Sequence, residues 1–122
     1  MKTSELSGAA LDWAVARAER LDCYADMTGE PRPAWAAFVD FGDETHIRYT
    51  PSEHWGFGGP IIERENMCVN RDNSSDEWEA HRSGDDFGVY WGSTPLIAAM
   101  RCYVASKLGD EVEIPATLLE TV

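Results

Sequence analysis

The sequence has few basic residues for its length. Lys and Arg total 10 against 22 Asp and Glu, so the net charge of the 122-residue chain is −12. This charge repels the phosphate backbone of nucleic acids and the anionic surface of membranes. We therefore expect no direct binding of nucleic acid or of a membrane surface over a broad face.

The chain also lacks a long hydrophobic run. No stretch of it approaches the roughly 18 apolar residues that a bilayer-spanning helix needs. Ser4, Glu5 and Asp12 interrupt the first residues, where a signal peptide has its apolar core. The sequence predicts a cytoplasmic protein without a membrane-spanning segment.

Cysteine and histidine are too sparse for a metal site or a disulfide framework. The three cysteines include no CxxC pair, and the three histidines have no HxH, HxxxH or HExxH spacing. Residues 72–77 resemble a calcium loop superficially, but they lack its central glycine and its terminal glutamate at the required spacing. We therefore expect no metal and no other cofactor.

Motifs of nucleophilic catalysis are missing as well. The sequence has no GxSxG elbow, and Cys23, Cys68 and Cys102 lie in predicted helices or strands, where thiols are usually inert packing groups. Glu63 and Glu65 leave general acid–base chemistry open as an alternative. The sequence favours a protein that binds its target over an enzyme.

The composition is nevertheless that of a folded protein. With 43% hydrophobic residues the chain can bury a core, and its length suits one domain over residues 1–122. Apolar residues at helical spacing predict a helix over residues 9–22, with Ser7 as its cap and with Asp12 and Glu19 on the face opposite the apolar arc.

Strands and a second helix follow this first helix. Residues 35–41 and 46–49 are aromatic and β-branched runs around a polar turn, which predicts a hairpin, and further strands are predicted at 67–69, 77–82 and 87–91. Ser93 or Thr94 caps a helix that ends at Gly109 and carries one apolar stripe, Ile97, Met100, Val104 and Leu108. The predicted fold is α+β, a small antiparallel sheet packed against two main helices.

The segment of residues 50–60 is the most unusual in the chain, because it holds three of the ten glycines and two of the six prolines beside two aromatic residues. It predicts irregular structure with a tight turn at residues 55–60. Gly58 and Gly59 could expose backbone amides to a ligand beside Trp55, whereas the alternative is a structural turn with Trp55 in the core. The segment is not a phosphate loop, since no Lys-Ser or Lys-Thr follows the glycines.

The start of the second helix is a second candidate contact. Ser93, Thr94 and Pro95 would present hydroxyls and unpaired amides at the positive end of the helix dipole, and Trp91 precedes them. Arg101 falls at the edge of the apolar stripe, so its guanidinium must reach a cavity or pair with a carboxylate. The alternatives are an ordinary capped helix and an ion pair from Arg101 to Glu63, Glu65 or another of the many acidic residues.

Acidic residues concentrate in the predicted sheet loops. If they share one face, they could imitate a row of phosphates and occupy a basic protein, although solubility alone also accounts for them. They are Asp40, Asp43, Glu44, Asp72, Asp76, Glu77, Glu79, Asp85 and Asp86.

Three blocks of the sequence resemble a known family. The opening MKTSELSGAALDWAVARAE, the middle YTPSEHWGFGGPIIERE and the late STPLIAAMRCYVASKLGDEVEIP are similar to the NinX family of lambdoid phages and prophages. This family consists of small phage accessory proteins of uncharacterised function. The resemblance implies a protein made inside an infected or lysogenic bacterium and does not imply an activity.

Two functional hypotheses follow. In the first, the protein binds a small anionic, nucleotide-like ligand without turning it over, for example to sequester an immune signal of the host. Its ring would lie near Trp55 or Trp91 and its phosphate on backbone amides, and the predicted contacts are Trp55, Gly58, Gly59, Arg64, Trp91, Ser93, Thr94 and Arg101. In the alternative, the acidic loops occupy a basic host or phage protein that handles nucleic acid. A homo-oligomer that completes a pocket between chains is consistent with either hypothesis.

Overall fold

The computed structural model describes residues 1–20, 23–25, 37–40, 46–82 and 88–114, with side chains in 1–20, 49–82 and 88–114. Within these ranges a short 3-10 helix, Thr3–Glu5, precedes three α-helices: α1 (Gly8–Ala18), α2 (Trp55–Arg64) and α3 (Pro95–Leu108). The described strands are β1 (Cys23–Ala25), β2 (Ala37–Asp40), β3 (His46–Arg48), β4 (Met67–Asp72), β5 (Glu77–Arg82) and β6 (Tyr90–Gly92).

The strands form two antiparallel sheets, each of three strands in chain order. β2 pairs with β1 and with β3, and Val39 lies opposite Ile47, so the predicted hairpin is confirmed. The predicted turn between these two strands, residues 42–44, lies outside the described residues. β5 likewise pairs with β4 and with β6 in the second sheet. The α+β class predicted from the sequence is confirmed, with its strands divided between two sheets.

Helix α3 occupies the centre of the fold. It packs against β4, β5 and β6, against α1 and α2, and against the 3-10 helix. The predicted cap and stop are confirmed: Thr94 precedes the helix, Pro95 begins it, and Gly109 follows it at φ 94°. The single apolar stripe is wrong, because Leu108 is 40% exposed while Cys102 and Tyr103 are fully buried. A helix that is surrounded by other elements buries most of its circumference.

Helix α1 is shorter than predicted and is buried more widely. It ends at Ala18, four residues before the predicted end, and packs against α3 as well as against β1 and β2. Ser7 precedes it as the cap residue, but its side chain makes no capping hydrogen bond. Asp12, predicted on the solvent face, is 2% exposed, and its carboxylate accepts a 2.8 Å hydrogen bond from the Ser52 N–H. Contacts on both sides of α1 therefore bury the face that its sequence marks as polar.

The predicted turn at residues 55–60 is wrong, because these residues form the first part of α2. Pro60 lies inside this helix, where its missing N–H removes one hydrogen bond. Gly58 and Ile61 are buried on the helix side that meets the core. Tertiary packing here overrides the low helix propensity of three glycines and one proline.

The first residues pair with the segment that follows α3. The Met1 amino group donates to the Val112 carbonyl at 2.9 Å, and the Thr3 hydroxyl donates to the Gly109 carbonyl at 2.7 Å. These contacts hold the start of the chain against the end of α3. No helix within the described ranges is both long enough and apolar enough to cross a membrane.

Candidate functional site

A groove of about 330 Å³ lies where the start of α2 meets the start of α3. Two segments far apart in the sequence form its walls, one just before and within α2 and one at the beginning of α3. The lining residues are Ser52, Glu53, Trp55, Thr94, Pro95, Leu96 and Ile97. Trp55 and Thr94, both predicted ligand contacts, are thus brought together.

The α2 wall is built on a hydrogen-bonded turn. The Thr50 carbonyl accepts the N–H groups of Glu53 and His54, and the Thr50 hydroxyl lies 2.6 Å from His54 Nδ1. This turn brings Trp55 to the first position of the helix, where its side chain is 56% exposed. The alternative that places Trp55 in the core is therefore wrong, and an indole face is available at the groove.

The α3 wall is a capped helix start. The Thr94 hydroxyl accepts the Ile97 N–H at 3.1 Å, and the Thr94 carbonyl accepts the Ala98 N–H at 3.1 Å. Pro95 has no N–H, so the hydrogen bonds of the described residues leave the Leu96 N–H as the free donor of the first turn. Together with the helix dipole, this donor provides one polar position for a ligand and not a broad nest of amides.

Ser52 contributes a buried hydroxyl to the groove. The residue is 4% exposed, its N–H is held by Asp12, and its Oγ has no hydrogen-bond partner among the described residues. Leaving a buried hydroxyl without a partner costs about 1–3 kcal/mol. A ligand in the groove that hydrogen-bonds this hydroxyl would recover that free energy. The sequence prediction missed Ser52, although it lies in the segment marked as unusual.

Gly58 lies behind the groove and does not present an amide to it. Its N–H donates to the His54 carbonyl at 3.1 Å. A Cβ added at Gly58 would lie 2.6 Å from the Pro51 carbonyl oxygen and 2.7 Å from Leu96 Cδ2. Gly58 thus permits the close approach of α2 to the start of α3. Gly59 has ordinary space, since the nearest atom to an added Cβ is 3.7 Å away.

Arg64 lies at the other end of α2, about 13 Å from Trp55 along the helix axis. Its guanidinium donates to both oxygens of Glu19, at 3.0 and 2.8 Å, and to Glu65 at 2.9 Å. Its carbon Cζ is 5.7 Å from the centre of the Tyr103 ring. The hydrogen bonds to Glu19 and Glu65 raise the pKa of Arg64. This predicted contact therefore connects α2 with Glu19, the residue that follows α1, and with Tyr103 on α3, and it lies outside the groove lining.

Arg101 and Trp91 are in contact with each other, also outside the lining of this groove. The Arg101 guanidinium donates to the Trp91 carbonyl at 2.6 Å and to the Leu6 carbonyl at 2.7 Å. Burial lowers the pKa of Arg101. These two carbonyls, and not Glu63 or Glu65, accept its described hydrogen bonds, while the negative charge of another acid, Glu77, acts on the guanidinium and raises its pKa against the effect of burial. Ser93 is exposed next to Thr94, directly before the helix.

Other candidate chemistry does not converge on this groove. Glu65 is surrounded by Arg64, Arg82 and Lys107. Cys68 is exposed and Cys102 is buried. Among the residues whose positions are described, no group of three or more His, Cys, Asp or Glu side chains could hold a metal ion.

The chain matches a known protein family. The family model described as "Bacteriophage P22, NinX" matches residues 2–107, which covers most of the chain, including α1, α2 and all of α3 except Leu108. No curated protein matches the chain.

Proposed function

Because the chain belongs to the bacteriophage P22 NinX family, it is a phage accessory protein, and we propose that it acts by binding a small anionic, nucleotide-like ligand in the groove between α2 and α3. The observation that carries this proposal is the pairing of an exposed indole with a helix start across one groove. Such a pairing suits a planar base joined to an anionic group.

Each part of the ligand has a counterpart in the groove. The base stacks on Trp55, which is more than half exposed. The anionic group accepts the Leu96 N–H at the positive end of the α3 dipole, and a further polar atom pairs with the Ser52 hydroxyl. Arg64 and Arg101 are engaged elsewhere, so they stabilise the fold in this proposal.

The charge of the groove limits the charge of its ligand. Glu53 is the one ionisable side chain among the described lining residues, and the whole chain carries −12. A ligand with several phosphates would meet repulsion without a paired cation. The proposed ligand class is therefore a nucleotide with a single phosphate, linear or cyclic.

The proposal is one of binding without turnover. A single exposed carboxylate beside the groove supplies neither a nucleophile with its base nor a matched acid and base. In the cytoplasm of an infected bacterium, such binding would lower the free concentration of a nucleotide signal, which is a form of counter-defence.

The first test measures binding of nucleoside monophosphates and cyclic nucleotides by calorimetry, with wild type and the Trp55→Ala variant. Loss of a base–aromatic stack costs roughly 1–3 kcal/mol, so we expect the variant to bind at least about fivefold more weakly. Trp91→Ala is the matched control, because Trp91 is 46% exposed but lies outside the groove lining. Equal affinities of wild type and Trp55→Ala would contradict the proposal.

The second test recovers the natural ligand. Native mass spectrometry of protein purified from phage-challenged bacteria would show a stoichiometric small molecule, which denaturation would release for analysis. An intact nucleotide supports sequestration, whereas a converted product indicates an enzyme. A protein that is empty and that also fails to bind added monophosphates would exclude this function.

A further inference from the structure

The second sheet has one face on the core and one open face. Gly92 of β6 lies against α3, since an added Cβ would be 2.7 Å from the Ala98 nitrogen. Gly92 pairs with Trp78 on β5, and Tyr90 of β6 pairs with Ala80. Ala80 belongs to the core, and Trp78 and Tyr90 pack against it, so these two pairs face α3. Side chains alternate along a strand, so the residues between these pairs point away from α3.

The open face centres on Trp91. Trp91 lies directly opposite Glu79, and Glu79 lies opposite Asn70 on β4, so the three side chains form one row across the sheet. Trp91 is 46% exposed, and Asn70 is exposed. Glu77, two residues from Glu79 on β5, is exposed on the same face. An indole is thus presented to solvent beside the exposed Glu77 and the partly exposed Glu79, and Glu77 is close enough to the Arg101 guanidinium for the two charges to interact.

The predicted acidic loops only partly contribute to this face. Glu77 and Glu79 lie on β5, and Asp72 is held by the turn that follows β4, where it accepts hydrogen bonds from Ser74 and Ser75. These hydrogen bonds lower the pKa of Asp72. Four other predicted members, Asp43, Glu44, Asp85 and Asp86, lie outside the described residues, and for Asp40 only the backbone is described.

We propose that this open face, defined by Trp91, Glu79, Glu77 and Asn70, docks an arginine-containing basic segment of a partner protein. A guanidinium group is a planar cation, so it stacks on an indole face by cation–π attraction. Its N–H groups can at the same time donate hydrogen bonds to a neighbouring carboxylate. The register places Glu79 at the distance that such a shared contact needs, since directly opposed Cβ atoms lie about 5 Å apart.

Charge complementarity selects the partner. The chain carries −12, which repels acidic segments and steers basic ones toward the surface at low ionic strength. The open face spans only three strands, and β6 has only three residues. A face of this size suits a short peptide segment and a transient complex. This docking face is separate from the groove, because Trp91 and Glu79 do not belong to the groove lining.

The test is a fluorescence and calorimetric titration of the full chain with a short Arg-Gly repeat peptide. Removal of one exposed cation–π contact reduces affinity by about fivefold, so we expect that loss for Trp91→Ala. Glu79→Gln should weaken binding about threefold. A peptide in which citrulline replaces each arginine has the same shape without the charge and should not bind.

Control variants distinguish binding at the open face from non-specific attraction of the peptide to the net negative charge of the chain. Glu63→Gln changes the net charge as Glu79→Gln does but lies on α2, and it should leave the affinity within about twofold of wild type. Trp55→Ala should bind the peptide as wild type does. In the nucleotide titration, Trp55→Ala should bind more weakly and Trp91→Ala should bind as wild type does. Thermal unfolding checks that each variant is folded. If Trp91→Ala does not fold, Glu79→Gln still tests the docking face.

Several results would overturn this proposal. They are equal weakening by Glu63→Gln and Glu79→Gln, full binding of the citrulline peptide, and unchanged binding by Trp91→Ala. Sedimentation of wild type as a dimer that Trp91→Ala dissociates would assign the face to a second copy of the chain instead.

Discussion

Arg101 shows how a charged residue within an apolar helix is accommodated. Its guanidinium reaches two backbone carbonyls, one at Leu6 before α1 and one at Trp91 on β6. A planar guanidinium can donate to two acceptors in different directions, which a single ammonium group does less well. Arg101 therefore ties the chain start and the edge of the second sheet to α3.

We predict that Arg101→Lys lowers the free energy of unfolding by about 1–3 kcal/mol, because at least one carbonyl contact is lost. Urea unfolding at neutral pH measures this change. Arg17→Lys, on the exposed side of α1, is the control and should change stability little. Unchanged stability combined with weaker nucleotide binding would instead make Arg101 a ligand contact.

Asp12 marks the limit of sequence reasoning at this scale. The expectation that Asp12 lies opposite the apolar arc of α1 is wrong: at about 100° per residue it lies only about 60° from Val15, and its buried carboxylate accepts the Ser52 N–H. The partner lies 40 residues away in the sequence. Periodicity describes one helix and contains no information on a second surface that covers its polar side.

At the scale of elements, the helical structure of α2 depends on its packing against α3. The glycines of its sequence favour a turn, but Gly58 is the position where the Pro51 carbonyl and the Leu96 side chain approach the helix most closely. A residue with a side chain would push α2 away from α3 and would deform the groove between them. The glycine that suggested an exposed amide instead serves the packing of two helices.

We predict opposite effects for two glycine substitutions in α2. Gly58→Ala places a Cβ within 2.7 Å of two atoms and should destabilise the protein by about 1–3 kcal/mol. Gly56→Ala meets no atom within 4 Å and should stabilise it by about 0.5–1 kcal/mol, because alanine favours a helix. Chemical unfolding of both variants checks this, and equal effects would show that α2 does not approach α3 as described.

At the scale of the whole molecule, Glu65 connects three elements. Its carboxylate follows α2 and lies 2.9 Å from Arg64, 3.2 Å from Arg82 at the end of β5, and 3.6 Å from Lys107 near the end of α3. Burial raises the pKa of Glu65, but its hydrogen bond with Arg64 and the charges of Lys107 and Arg82 outweigh this, so the pKa is lowered overall. One carboxylate thus forms ion pairs with three of the ten Lys and Arg side chains.

A pH dependence follows from this lowered pKa. A carboxyl whose folded pKa lies below its unfolded value stabilises the protein above the unfolded value, near 4.3, and loses that contribution as the pH falls through the folded pKa. Glu65→Gln should therefore lower the free energy of unfolding by about 1–3 kcal/mol at pH 7. The difference from wild type should shrink below about pH 4.

Urea unfolding of wild type and Glu65→Gln between pH 3 and pH 7 measures this difference. Glu63→Gln, which is exposed two residues earlier, provides the control for loss of one negative charge. A difference that stays constant down to pH 3, or one that Glu63→Gln reproduces, would refute the central role of Glu65.

Some features of this protein follow from the sequence alone, because they depend on neighbouring residues. Thr94, Pro95 and Gly109 set the boundaries of α3. Two aromatic and β-branched runs around a polar turn predict the hairpin, and the composition fixes the net charge. Only the tertiary structure shows that residues 55–64 form a helix, that Asp12 is buried, and that Trp55 and Thr94 line one groove. It also shows that Arg64 hydrogen-bonds to Glu19 and Arg101 to the Leu6 carbonyl. Burial and proximity depend on which distant segments pack together, and local pattern does not contain that information.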